Sequence, residues 1–162
     1  MLLALVAVGD FLVTGQRIRG IRGTPACTVK ELDAAVDRHG AGRGARLLSR
    51  ALPLVRIGVD SPKETELRLI LREAGLGEPS IGYVVQTRLG PLEPDLAYPD
   101  RRVLLEYEGD THRRDQRRWR GDFERVRAFQ QAGWVVIRVN ADDLSDPVRR
   151  GALIAHLRAL LT

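Results

Sequence analysis

Apolar residues recur at helical spacing through the first 58 residues of the chain. The sequence opens with the apolar run Met1–Val8, Thr28 and Glu31 have the spacing of a capping box, and a further helical pattern begins near Ala45. No segment in this part of the chain alternates convincingly between apolar and polar residues, as a half-buried strand does. We therefore predict that residues 1–58 form a small helical extension without strands.

A second pattern begins at Ser61, where Pro62 and Glu64 follow at the positions of a first helical residue and a capping-box partner. Helices and strands then follow one another to the end of the chain. Strands are predicted at 81–88, 94–98, 101–108 and 134–139, and helices at 61–75, 113–132 and 147–161. This order predicts an α/β domain over residues 59–162. Its mixed central sheet begins as an antiparallel meander of three strands and is flanked by helices.

The longest of these helices combines an apolar stripe with a basic start. The stripe is expected to pack against the sheet and consists of Trp119, Phe123, Val126 and Phe129. The basic residues that we predict to contact nucleic-acid phosphates are Arg113, Arg114, Arg117 and Arg118. The alternative for these arginines is a solvated helix surface that forms ion pairs with neighbouring acids.

Composition and charge narrow the class of protein. The chain has 162 residues, 26 basic against 21 acidic side chains and a net charge of +5, which suits a globular domain with a polyanionic partner. Because an arginine excess also follows from a GC-rich genome, charge alone favours nucleic acid only weakly. Cys27 is the only cysteine, which excludes an intrachain disulfide and suits a reducing cytoplasm. The sequence shows neither a nucleotide loop nor an apolar run near the roughly 20 residues of a membrane span, so we expect no small-molecule cofactor and no membrane association.

Acidic residues converge at the end of the most strand-like segment. Because side chains alternate across a strand, Glu106 and Glu108 share one face with Leu104. Asp95 belongs to the neighbouring extended segment and reaches the same point if the two strands pair. Three carboxylates around one point form an arrangement that holds a hard divalent ion such as Mg²⁺. The opposite interpretation is an arginine, such as Arg138, that offsets the charge of Glu106 without a metal.

The same residues belong to a wider pattern that extends over residues 61–145. Its parts are Glu64-Thr65, Pro94-Asp95-Leu96-Ala97, Glu106-Tyr107-Glu108-Gly109-Asp110-Thr111-His112, Trp119, Asp122, Arg125, Gly133-Trp134 and Arg138. This pattern resembles the PD-(D/E)XK nuclease superfamily. Within it, the pattern is similar to an endonuclease-like family (domain of unknown function 559) that is related to very-short-patch repair endonucleases.

The resemblance implies a restriction-endonuclease-like αβββαβ core and a Mg²⁺- or Mn²⁺-dependent DNA endonuclease of repair, restriction or defence. It implies that Asp95 and Glu106 bind the metal, that Glu64 is an accessory ligand, and that Glu108 occupies the third signature position. His112 would position water or protonate the leaving oxygen. The chain departs from the superfamily pattern where Glu108 replaces the signature lysine, and from related proteins where Thr111 replaces a second histidine.

Other interpretations stay open at this point. Glu64 also fits a purely structural role as the capping partner of Ser61. The chain as a whole also fits a catalytically inactive nucleic-acid-binding module of a defence or toxin–antitoxin system, or an interaction domain without nucleic acid. The resemblance further implies that residues 1–58 correspond to a linker that joins an N-terminal winged-helix domain in longer proteins. Either that missing domain or a second copy of the chain would then be a partner.

Overall fold

The computed structural model describes residues 1–18, 21–109 and 116–162, with the backbone alone for residues 116–120. The chain divides into two compact units, Met1–Leu69 and Ile70–Thr162. The division lies inside the helix Pro62–Glu73, whereas the sequence pattern places it before Ser61. Within the described ranges, no helix has both the length and the apolar character needed to cross a bilayer.

The first unit is mainly helical. Its elements are α1 (Leu2–Thr14), β1 (Arg17–Ile18), β2 (Ile21–Arg22), α2 (Val29–His39), α3 (Ala45–Ala51), a 3-10 turn (Leu52–Leu54) and most of α4 (Pro62–Glu73). The predicted capping box of α2 is confirmed, since the Thr28 hydroxyl accepts a hydrogen bond from the Glu31 amide and the Glu31 carboxylate accepts one from the Thr28 amide. The prediction that this segment contains no strand is wrong, because β1 and β2 form an antiparallel pair.

The core of the first unit combines an apolar cluster with a buried ion pair. Val6 of α1 packs with Ala51 and Leu69. One turn further along α1, the Asp10 carboxylate lies 3.2 Å from the Arg68 guanidinium, and both side chains are fully buried. The Thr65 hydroxyl and the Arg56 amide donate further hydrogen bonds to Asp10, at 2.7 Å each. A buried carboxylate is tolerated in this apolar helix because these donors and the arginine replace its hydration.

The second unit contains the main sheet. Its further elements are β3 (Val85–Thr87), β4 (Gly90–Leu92), β5 (Leu96–Tyr98), β6 (Val103–Glu108), α5 (Gln116–Gln131), β7 (Val135–Asn140), α6 (Ala141–Ser145) and α7 (Pro147–Leu161). Strand β6 lies in the centre of a three-stranded sheet, antiparallel to β5 and parallel to β7. The expected α/β class and mixed sheet are therefore confirmed.

The predicted meander of three strands in one sheet is wrong. The segment predicted at 81–88 supplies β3, which pairs with β4 in a separate two-stranded hairpin. The reversal depends on Gly90, whose φ of +93° is strained for any residue with a β-carbon. The segments predicted at 94–98 and 101–108 do pair with each other, as β5 and β6.

Helix α5 covers one face of the main sheet. Phe129 is fully buried and packs in one cluster with Ala97 of β5, Leu104 of β6 and Trp134. The expectation that Phe123 belongs to the buried stripe is wrong, because this side chain is 55% exposed. Residue 123 precedes residue 129 by six positions and so falls on a different side of the helix. The side chain of Trp119 lies outside the described part of the structure.

Candidate functional site

The site begins with two carboxylates on neighbouring strands. The register of β5 and β6 pairs Leu96 with Leu105, so that Asp95 stands directly before β5 and opposite Glu106. Opposite residues of an antiparallel pair have side chains on the same face. The Asp95 carboxylate accepts a hydrogen bond from the Tyr107 amide at 2.7 Å, which fixes its orientation at the end of the pairing. The structure thus brings together the two residues that the sequence predicts as principal metal ligands.

Glu106 is the more perturbed of the two carboxylates. Its side chain is 18% exposed, since it lies on the face of the sheet that α5 covers. Burial and, second to it, the negative charge of Asp95 together raise the pKa of Glu106 to about 7. Arg125 lowers the same pKa in part, by its charge and its hydrogen bonds, and Asp122 adds a small increase. A carboxyl group with these neighbours is poised to exchange a proton or a cation near neutral pH.

Arg125 of α5 is the counter-charge of Glu106. Its Nε and Nη2 atoms donate hydrogen bonds to Glu106 Oε1 at 3.2 and 3.0 Å. Nη2 also donates to the backbone carbonyl of Glu93, and the guanidinium carbon lies 5.1 Å from the centre of the Phe129 ring. The guanidinium is thus held by a carboxylate, a carbonyl and an aromatic face, all within the second unit.

The predicted counter-charge of Glu106, Arg138, has a different partner. Strand register places Arg138 of β7 beside Glu106, yet its Nε forms an ion pair with Glu108 Oε1. The side chains of this pair are 47% and 39% exposed, so solvent screens the interaction. Glu108 therefore forms its ion pair with Arg138, while Glu106 faces Arg125.

Glu64 has the structural role that its capping position allows. It lies on α4 in the first unit, where its carboxylate accepts a hydrogen bond from the Asp60 amide at 2.9 Å. The Glu64 amide in turn donates to the Ser61 hydroxyl at 3.2 Å, which completes the N-terminal cap of α4. Across the described ranges, no group of three or more histidine, cysteine, aspartate or glutamate side chains is arranged to hold a metal ion. Within the second unit, Asp95 lies opposite Glu106, and Asp122 is near enough to raise the pKa of Glu106 slightly.

The side chains of the remaining predicted site residues lie outside the described part of the structure. His112, Arg113 and Arg114 lie outside the described residues, and Arg117 and Arg118 belong to α5 with their side chains outside the described part. The roles predicted for these five residues stay predictions.

Sequence reasoning gave no role to Arg125, although a signal for one was present. Arg125 precedes Phe129 by four residues, and residues four apart lie on the same face of a helix. Because Phe129 belongs to the apolar stripe that is expected to pack against the sheet, Arg125 is expected on the same face of α5. A polar residue is not part of an apolar stripe, so this pattern gave Arg125 no role.

Comparison with known proteins gives relatives without a described activity. No family model matches the chain, and no solved structure matches it. Two curated proteins from Mycobacterium tuberculosis are similar: Uncharacterized protein MT2308 of strain CDC 1551 / Oshkosh and Uncharacterized protein Rv2248 of strain H37Rv. Each is 29% identical over 132 residues, which cover 80% of this chain and 49% of the relative. The chain thus spans about half the length of the curated relatives it matches.

Proposed function

We propose that the chain is a metal-dependent DNA endonuclease that hydrolyses phosphodiester bonds with Mg²⁺ or Mn²⁺, in repair, restriction or a defence-like process in the cytoplasm. The observation that carries this proposal is the placement of Asp95 opposite Glu106, with burial and mutual repulsion raising the pKa of Glu106 to about 7. We further propose that α4, the β5–β6–β7 sheet and α5 correspond to a restriction-endonuclease-like core.

The donor set fits a hard divalent cation. Mg²⁺ is commonly bound by one or two carboxylates, with waters and substrate phosphate oxygens as the other ligands. Asp95 and Glu106 would supply the two carboxylates, and a cation between them would offset the repulsion that raises the pKa of Glu106. When bound, such an ion polarises a phosphate group and makes water a better nucleophile.

The chain's own residues would orient and neutralise the substrate. The Tyr107 amide holds the carboxylate of Asp95, and Arg125 holds that of Glu106, so that both acids are oriented before DNA arrives. Arg125 also places a positive charge beside the carboxylate pair, where it would help to offset the charge of a phosphate. Arg113, Arg114, Arg117 and Arg118 are proposed to contact neighbouring phosphates, and His112 to position water or protonate the leaving oxygen. Glu64 caps α4, and its role as an accessory ligand stays a prediction.

A second candidate function is a nucleic-acid-binding module without hydrolytic activity. The observation in its favour is the ion pair between Arg125 and Glu106, because an arginine already offsets part of the charge that a metal would neutralise. The two candidates differ in their requirement for a divalent cation.

Plasmid nicking distinguishes the candidates. Supercoiled DNA is incubated with the purified chain in Mg²⁺ or Mn²⁺, or in EDTA, beside the isosteric variants Asp95→Asn and Glu106→Gln. Glu124→Gln is the matched control, since Glu124 is an exposed acid of α5. The nuclease proposal expects cleavage by the wild-type chain and the control, and none in EDTA or in either site variant.

Other outcomes count against it. DNA binding that weakens with salt but does not depend on metal, without cleavage, would favour the binding module. The absence of any salt-dependent affinity for DNA would contradict both candidates.

A further inference from the structure

We propose that Arg125 is a switch that couples metal binding to DNA binding. Without a metal, Arg125 binds Glu106. When a divalent cation binds the two carboxylates, Arg125 binds a DNA phosphate instead. This inference rests on the nuclease function proposed above, and it adds a positioning residue and an order of events to that function.

Arg125 and a bound metal ion would compete for one oxygen atom of Glu106. Two nitrogen atoms of Arg125 donate to Glu106 Oε1, at 3.2 and 3.0 Å. A cation that binds Glu106 would lie close to this guanidinium. The two positive charges repel each other strongly where water is largely excluded. The arginine therefore lowers the affinity of the DNA-free site for a metal ion.

The guanidinium of Arg125 also has contacts other than Glu106. The backbone carbonyl of Glu93 and the ring of Phe129 hold Arg125 by contacts that do not involve a carboxylate. These contacts can keep the guanidinium beside the site after it has left Glu106. A guanidinium has five N–H donors in a plane, and their geometry matches that of phosphate oxygens. Once released from Glu106, Arg125 could therefore donate hydrogen bonds to a DNA phosphodiester.

This competition and these further contacts together predict that metal binding and DNA binding are coupled. Metal binding without DNA breaks the hydrogen bonds to Glu106 without replacing them, whereas metal binding with DNA exchanges them for bonds to phosphate. Each ligand should therefore raise the affinity for the other by the same factor. Arg138 offers a contrast within the same unit, because it neighbours Glu106 in the strand register while its half-exposed ion pair is with Glu108.

The test measures binding and not cleavage. Mn²⁺ affinity is measured by electron paramagnetic resonance without DNA, for the wild-type chain and for Arg125→Gln, Arg125→Lys, Arg138→Gln and Asp95→Asn. The affinity for a fluorescein-labelled duplex is then measured by anisotropy with and without Mn²⁺ at constant ionic strength, and a gel verifies that the duplex is intact. Circular dichroism establishes that each variant is folded.

The expected results separate charge from structure. Arg125→Gln should bind Mn²⁺ about tenfold more tightly without DNA, and its Mn²⁺-dependent gain in DNA affinity should fall by about the same factor. Arg125→Lys keeps the charge and should stay closer to the wild type in Mn²⁺ affinity. Arg138→Gln should match the wild type in both measurements.

The failures are distinguishable. If the wild-type chain binds no Mn²⁺, or binds it with an affinity that Asp95→Asn does not reduce, the proposed function itself fails. If Mn²⁺ binds through Asp95 but Arg125→Gln binds it equally or less tightly, the switch alone is overturned. The switch is also overturned if Mn²⁺ leaves the DNA affinity of the wild-type chain unchanged, a result that does not depend on the folding of any variant.

Discussion

Glu106→Gln should make the protein more stable at alkaline pH. The substitution replaces a carboxylate that is 18% exposed and lies opposite Asp95 with a neutral amide of nearly the same shape. The amide can still accept a hydrogen bond from Arg125 through its oxygen, while the repulsion from Asp95 and the loss of hydration of a charge disappear. The site would thus gain stability and lose its proposed metal ligand.

The magnitude follows from the pKa of Glu106. This pKa rises from 4.5 in an ordinary glutamate to about 7 in the folded chain, a difference that corresponds to about 3 kcal/mol in favour of the protonated form. Because the folded state binds this proton more tightly than the unfolded state, the stabilisation is complete below the unfolded pKa. It is lost as pH rises through the folded pKa. Glutamine does not titrate, so the variant should be more stable by up to about 3 kcal/mol at about pH 8, and by less than about 1 kcal/mol near pH 4.5.

Urea unfolding in EDTA at both pH values measures this difference. Both tryptophans of the chain, Trp119 and Trp134, lie in the unit Ile70–Thr162, so their fluorescence reports on the unit that contains Glu106. Glu108→Gln is the control, since its exposed ion pair should contribute less than about 1 kcal/mol at either pH. A Glu106→Gln variant that is less stable than the wild type at pH 8, or a gain that is equal at both pH values, would refute the reasoning. The first result would show that the contact with Arg125 outweighs burial and the charge of Asp95, and the second that the gain does not depend on the ionisation of Glu106.

Four further substitutions test the packing inside each unit and the cap of one helix. Asp10→Ala leaves the Arg68 guanidinium buried without its carboxylate and should lower the free energy of unfolding by about 3–5 kcal/mol, followed by circular dichroism in urea; a loss below about 1 kcal/mol would contradict the buried pair. Phe129→Ala should lower it by about 3–5 kcal/mol and Phe123→Ala by less than about 1 kcal/mol, so equal losses would show that α5 faces the sheet differently. Asn140→Ala removes the cap of α6 and should decrease stability by about 1 kcal/mol, with faster amide hydrogen exchange in α6; unchanged exchange would be inconsistent with the cap.

Local signals predicted most helices and strands of this chain. The capping box at Thr28 marks the start of α2, and Ser61 with Glu64 marks the start of α4. Such motifs are informative because the groups that satisfy the first amides of a helix lie within a few residues of it. The alternation of side chains in the segment around Glu106 likewise predicts β6 and the face on which this carboxylate lies.

Pairing between strands was harder to predict. The sequence pattern indicates three strands after α4, but it does not show that β3 pairs with β4 while β5 pairs with β6. Short strands of similar composition have several acceptable neighbours, and contacts with the rest of the fold select among them. The pair of two-residue strands β1 and β2 is too short for alternation to reveal it.

The sequence by itself determined that Asp95 and Glu106 share one face if their strands pair, because side chains alternate along a strand. The pairing of β5 with β6 was decided by the tertiary structure. The partners of these acids were decided by the tertiary structure alone. Docking of α5 brings Arg125 to Glu106, while Arg138, which neighbours Glu106 in the register of β7, pairs with Glu108. The raised pKa of Glu106 depends on tertiary structure as well, since its loss of hydration requires α5 over that face of the sheet and its repulsion by Asp95 requires the pairing of β5 with β6.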